Sequence, residues 1–187
     1  MSRLPLVDPA QTTGDLHAAF ARMPVKLNVF RMLAHAENGT MPVLRLANAI
    51  LHRQLLSDRH RELLILQVTH LEGGSYEWRQ HVPIAREVGV SDFEIEALAA
   101  NRIESDPFGA AERALLAFGK RVIEDVRVDA AVFKRMQDHF SHREIVEAIV
   151  TIGFYMMMTR LTEATETDLD PAIGVDIYKS SKNRRKE

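Results

Sequence analysis

Glu62, Glu77 and His81 are the residues of this chain whose types and spacing point to proton chemistry. Glu77 and His81 lie four apart in a segment that helical punctuation bounds at Ser75 and Gly89. At about 3.6 residues per turn, positions four apart stack on one face and can touch. That face is the apolar one. Trp78, Val82, Ile84, Ala85 and Val88 form its arc, with Glu77 between Ile84 and Val88 and His81 between Val88 and Ala85. Arg79, Gln80, Arg86 and Glu87 fall on the opposite side. Pro83 removes one backbone hydrogen bond and can kink the helix. Glu62 belongs to the preceding segment, where Leu63, Leu64, Ile65, Leu66, Val68 and Leu71 leave almost no polar face and Glu62 sits between Ile65 and Leu66. The short break Glu72-Gly73-Gly74 makes the two helices antiparallel neighbours.

Two carboxyl groups and an imidazole in a dry pocket titrate as a coupled set, which supplies a general acid and a general base near neutral pH. The other reading is a buried ion pair in which Glu77 holds a charged His81. Spacing alone leaves both open. A metal site of two carboxylates and an imidazole is a weaker alternative, supported only by the Glu77/His81 spacing, and the expectation is no metal and no cofactor. An arginine would clamp a substrate carboxylate; Arg59, Arg61 and Arg160 are candidates among which nothing in the sequence chooses. His139 and His142 read as a surface pair.

The composition narrows the chemistry. The chain has 187 residues and no cysteine, which removes thiolate nucleophiles, disulfides and Cys-ligated zinc. A net charge of −2 gives no field suited to nucleic acid or an anionic membrane. The N-terminus lacks the apolar run of a signal peptide, and the run 148–158 is shorter than the ~20 residues of a membrane span. Cytoplasmic location follows as the default.

Helix signals are dense and strand signals nearly absent, so the expected class is all-α, one domain over residues 1–178. Pro24 is expected to open a helix through His35, Asn38-Gly39 to break it, and Pro42 to start another to about His52. Ser57-Asp58 caps the Glu62 helix, and Ser75 is expected to cap the His81 helix. Ser91/Glu94 and Ser141/Glu144 form capping boxes. Asp106-Pro107 opens a helix to about Val126, and Asp129 starts the next. The helix from Ser141 to about Glu163 is apolar nearly all round, so it is central or covered by a second subunit; the size of the domain favours subunit contact. The tail 179–187 is polar, mostly basic and expected to be disordered.

The segment from Arg59 to Leu98, RHRELLILQVTHLEGGSYEWRQHVPIAREVGVSDFEIEAL, resembles the carboxymuconolactone decarboxylase family, which includes the alkylhydroperoxidase-D-like proteins. The likeness rests on Glu62 in RELLIL, the run Tyr76 to Val82 with its E-W-x-x-H, and the Gly-Val-Ser-Asp entry to the next helix; the core motif occupies 57–100. A weaker match continues from Glu112 through the last apolar helix. The family's peroxidases carry a CxxC pair at the positions of Gly74 and Glu77, so both thiols are absent here, while the family's glutamate and histidine remain as Glu62 and His81. The resemblance implies an alkylhydroperoxidase-D-like fold of seven to eight helices, assembled as a trimer or hexamer. It also implies a cofactor-free enzyme of decarboxylase, lyase or isomerase type acting on a small organic acid or lactone. On that reading His81 is the acid or base, Glu77 orients it and Glu62 completes the relay, with Trp78 and Tyr76 against the substrate. The alternative is a non-catalytic, oligomeric small-molecule-binding member. Cysteine-dependent peroxidase activity is disfavoured, and neither nucleic acid nor membrane is an expected partner.

Overall fold

A computed structural model describes residues 1–104 and 107–183, with the side chains of Ser181 and Asn183 undescribed. The described residues form ten α-helices and no strand. They are α1 (Gly14–Arg22), α2 (Asn28–Leu33), α3 (Glu37–His52), α4 (Asp58–Leu71), α5 (Ser75–Glu87), α6 (Asp92–Ala99), α7 (Ala110–Asp125), α8 (Ala130–Gln137), α9 (His142–Ala164) and α10 (Gly174–Asn183), with a 3-10 turn at Pro9–Gln11.

The molecule is built around α4. Leu63, Leu64, Ile65, Leu66 and Val68 are all fully buried, as a helix without a polar face requires. One side of α4 meets α9 and α7 through Leu64, Ile65, Leu115, Phe118, Ala148 and Ile152. The other side meets α5 and α6 through Leu63, Leu66, Ala85 and Leu98. Gly73 takes φ 73°, a left-handed turn that reverses the chain and lays α5 antiparallel on α4. Helix α9 is 23 residues long and apolar enough by composition to cross a bilayer, but it packs in this core, with half of its most apolar stretch buried.

The caps read from sequence at Ser57, Ser91, Asp129 and Ser141 are present, each accepting from a backbone N–H of the first turn. Other boundaries differ. Pro24 opens no helix; in that region the helix is α2, which starts at Asn28, and α1 (Gly14–Arg22) lies before it, where no helix was expected. Asn38-Gly39 lies inside α3, as does Pro42, because Ala36 rather than Pro42 marks the helix start. Gly74, not Ser75, is the N-cap of α5. α7 begins at Ala110 behind Gly109, with Glu112 closing on the Gly109 amide at 2.8 Å, and Asp106 lies outside the described residues. The expected disorder of 179–187 is corrected for 179–183, which continue α10; residues 184–187 lie outside the described residues.

Like α1, α10 was not expected from the sequence. It packs on α5 so closely that a Cβ on Gly174 would lie 2.3 Å from the Gln80 carbonyl oxygen. Gln80, expected on the polar side of α5, is therefore buried, its Nε2 donating to the Pro171 carbonyl at 2.8 Å. The chain before α10 is tied down by Asp170, which accepts from Tyr76 Oη and, at 2.7 Å, from the Asn28 amide.

Candidate active site

Antiparallel packing of α4 on α5 brings Glu62 to His81. Glu62 Oε2 lies 2.8 Å from His81 Nδ1, and Glu62 is fully buried. The second oxygen of Glu62 accepts from Arg61 Nε at 3.1 Å. Arg61 is itself buried; its Nη1 donates to Asp58 Oδ1 at 2.7 Å and to the Leu51 carbonyl at 3.1 Å. Asp58 Oδ2 receives the Tyr178 hydroxyl at 2.7 Å and Lys182 Nζ at 2.8 Å, both from α10. A continuous polar chain thus runs from the surface through Asp58, Arg61 and Glu62 to His81.

The charges in this chain support one another. Burial opposes ionisation of Asp58, but hydrogen bonds from Lys182, Tyr178 and Arg61 hold its carboxyl well below the ordinary range. Burial likewise opposes the Arg61 charge, and the Glu62 and Asp58 carboxylates outweigh it and raise the guanidinium. Buried charge of this kind is tolerated only when paired and hydrogen-bonded.

His81 turns its remaining edge to a cavity of about 110 Å³. Tyr76, Glu77, Gln80, His81 and Ile84 of α5 make one wall, Phe154, Tyr155 and Met158 of α9 another, and Gly174, Ile177 and Tyr178 of α10 close it. The remaining lining, Leu27, Val29, Phe30, Ala47 and Leu51, is apolar. No described residue hydrogen-bonds His81 Nε2. The Tyr155 ring stands edge-on to the imidazole, with centroids 4.9 Å apart, and burial pushes its hydroxyl well above the usual phenol range.

Glu77 also faces the cavity, but it does not hold His81; no hydrogen bond joins them among the described residues. Glu62 takes Nδ1 from the facing helix, while Glu77 leaves the first turn of α5 toward α9. There the Thr162 hydroxyl lies 3.0 and 3.1 Å from its two oxygens. Burial is the largest influence on Glu77 and raises its pKa above the ordinary carboxyl value, against the lowering effects of backbone, Thr162 and His81. Thr162 also lies 3.2 Å from the Met158 carbonyl and 3.1 Å from that of Thr159, so it can serve either protonation state of Glu77.

The other expected residues divide. Tyr76 lines the cavity, its hydroxyl spent on Asp170 and on the Val29 amide, 3.2 Å away. Trp78 does not reach it; the indole lies against His70, centroids 5.9 Å apart, over a shallow depression with Gly73, Gly74 and Ala99. The reason is the helical phase: residues 78, 82 and 85 turn to the α6 side, and 77, 80, 81 and 84 to the cavity. None of the three candidate arginines lines the cavity. Arg59 ties together Glu94, Glu112 and the Gly89 carbonyl, and Arg160 pairs with Glu72 on the surface. His139 and His142 are exposed. Among the described residues no group of acidic and histidine side chains has a metal-binding arrangement. Sequence reasoning missed Tyr155, Thr162 and Tyr178. The first two could have been read from the seven-residue spacing of polar groups on an otherwise apolar helix.

Residues 42–121 match the carboxymuconolactone decarboxylase family. No curated protein matches the chain significantly. Among solved structures, a protein of unknown function from Agrobacterium tumefaciens is 26% identical, with a TM-score of 0.67 over 74% of this chain and 95% of that one. An uncharacterized peroxidase-related protein from Ralstonia eutropha, with an alkylhydroperoxidase AhpD core, is 18% identical, with a TM-score of 0.79 over 97% and 96%. The debrominase Bmp8, solved in complex with 2,3,4-tribromopyrrole, is 15% identical, with a TM-score of 0.72 over 98% and 99%. The chain is thus an all-helical protein of AhpD-like fold, without cysteine, whose residues 42–121 are similar to the carboxymuconolactone decarboxylase family.

Proposed function

We propose that this protein is a cofactor-free acid–base enzyme that moves a proton within a small organic molecule. The observation that carries the reading is the arrangement of His81, with Nδ1 held by buried Glu62 and the opposite edge left to the cavity. Donation of Nδ1–H to Glu62 fixes the tautomer in which Nε2 is the base, and the same carboxylate stabilises the imidazolium that forms. Glu77 is the complementary acid, because burial keeps its carboxyl protonated to a higher pH than an exposed glutamate.

In the forward step a substrate C–H gives its proton to His81 Nε2. The electron pair left behind shifts along the conjugated system, and the far atom takes the Glu77 proton. The product is an isomer of the substrate, and His81 is left protonated and Glu77 ionised. Proton return through solvent resets the pair. Decarboxylation on the same residues would place a substrate carboxylate in a cavity that no lysine or arginine lines, so the isomerase form of the reading is favoured. Thiol peroxidation has no thiolate to begin from.

The test is a screen of small ketones, lactones and unsaturated compounds for His81-dependent exchange of carbon-bound hydrogen into D2O, followed by NMR. His81→Ala and Glu62→Gln are expected to lower the rate at least about a hundredfold, the usual contribution of a positioned acid or base. Exchange that persists in a folded His81→Ala protein would overturn the assignment. The rival reading, a non-catalytic small-molecule-binding member, expects no exchange and a lower Tm for every substitution in the cluster.

A further inference from the structure

From the walls of the cavity we infer that its ligand is an uncharged, ring-sized molecule carrying one weakly acidic hydrogen, and not an organic acid. This inference rests on the acid–base reading only for which atom meets that hydrogen, His81 Nε2. The class of ligand follows from size, wall chemistry and charge.

Size comes first. An apolar cavity of roughly 150 Å³ in another protein holds benzene. The present cavity, of about 110 Å³, therefore suits a five- or six-membered ring once Met158 or Ile177 yields slightly. Wall chemistry comes second. Leu27, Val29, Phe30, Leu51, Ile84 and Phe154 offer no hydrogen bond, so a ligand rich in polar groups would lose its hydration without replacement.

Charge decides the rest. The cavity has Glu77 in its wall and no lysine or arginine. Arg61, which adjoins Glu62, lies outside the wall and already serves two carboxylates, Asp58 and Glu62, so the cluster has no positive charge to spare. Its one unpartnered nitrogen, Nη2, is buried, and the Tyr178 ring covers the guanidinium at 5.6 Å. An anionic ligand would lose its hydration among apolar walls with only a histidine to answer its charge, and it would oppose ionisation of Glu77 beside it. A neutral ligand meets none of this cost, and its acidic hydrogen faces the unspent nitrogen of His81.

The test uses the intact protein at neutral pH and two probes of equal ring size, 4-fluorophenol and 4-fluorobenzoate, followed by 19F NMR titration. Saturable binding of 4-fluorophenol, at least about tenfold tighter than 4-fluorobenzoate, is expected. It should be lost in Ala47→Phe, which fills the cavity, and in Met158→Phe as a second filling variant should the first not fold. In His81→Asn, which removes the contact to the acidic hydrogen, 4-fluorophenol should bind more weakly but still in preference to 4-fluorobenzoate, so a failure of the catalytic reading leaves this result standing. Equal or tighter binding of 4-fluorobenzoate, no binding of 4-fluorophenol, or phenol binding indifferent to a folded filling variant would each overturn the inference.

Discussion

Glu62 and Glu77 are fifteen residues apart in sequence, both buried, and their surroundings assign them opposite tasks. Glu62 is paired with Arg61 and His81, whereas Glu77 has a threonine hydroxyl and an apolar cavity. The difference can be read in stability. The folded state raises the Glu77 pKa, so above the unfolded value of about 4.5 the native protein binds more protons there than the unfolded chain. Stability therefore falls as pH rises from that value through the raised one. Glu77→Gln keeps the shape and removes the charge, so its Tm should exceed that of the parent at pH 7 to 8, with the gap closing toward pH 4; calorimetry across pH checks this. A gap that widens toward acid would contradict it. The position of the absent cysteine pair is also constrained sterically. A Cβ at Gly74 would lie 2.8 Å from both Cγ2 and Oγ1 of Thr159. Gly74→Cys should therefore destabilise the protein by about 1–3 kcal/mol as an overpacking change, and Thr159→Ala should recover part of that loss in a double-mutant cycle by chemical denaturation. The helical wheel was enough to turn Glu77 and His81 inward, but it could not say which carboxyl would reach Nδ1, because that depends on the depth at which α4 sits against α5.

At the scale of elements, α10 is latched rather than merely packed. Tyr178 and Lys182 both end on Asp58, and Lys179 pairs with Glu87 at 2.7 Å. Tyr178→Phe combined with Lys182→Ala should cost about 1 kcal/mol, the net worth of such partly exposed bonds, and should speed limited proteolysis between α9 and α10 without changing the helix content of the rest. Because Asp58 is held well below its ordinary range, its contribution is complete above an unfolded value of about 3.8 and is lost only as pH falls through the folded one. The parent protein should thus keep its slow cleavage down to about pH 4. Helices that start on a side-chain cap (α4, α6, α8, α9) were legible from sequence, since Ser57, Ser91, Asp129 and Ser141 specify the first turn locally. α10 has no such signature among prolines, aspartates and lysines. It is helical because Ile177 and Tyr178 find partners on α3 to α5, which is tertiary information. Pro24 and Pro42 misled for the converse reason: a proline permits a helix start without requiring one.

For the whole molecule, the outward side of α9 remains apolar. Val146, Ile149, Val150 and Met157 are exposed at helical spacing, Val146 by 58%. The proposed assembly into a trimer or hexamer uses this stripe. Val146→Glu with Ile149→Lys should reduce the mass found by sedimentation to that of one chain, 21.2 kDa, while leaving the fold intact by circular dichroism. A parent protein that already sediments as one chain would remove the proposal. The sequence showed that this helix has more apolar surface than a small core needs; which side stays uncovered depends on where α4, α5 and α7 dock.

The matched region 42–121 contains Glu62, Glu77 and His81, whereas much of the enclosure around them comes from elsewhere: Leu27 to Phe30, Phe154 to Met158 and Gly174 to Tyr178. On the proposed acid–base reading, reactivity and selectivity are written in separate stretches of chain. Exchanging the cavity-lining Ile177, with Tyr178 and Lys182 kept on Asp58, would change which molecules are admitted while leaving Glu62 and His81 where they are, so this face of the C-terminal segment is the natural place to re-aim this protein toward another compound.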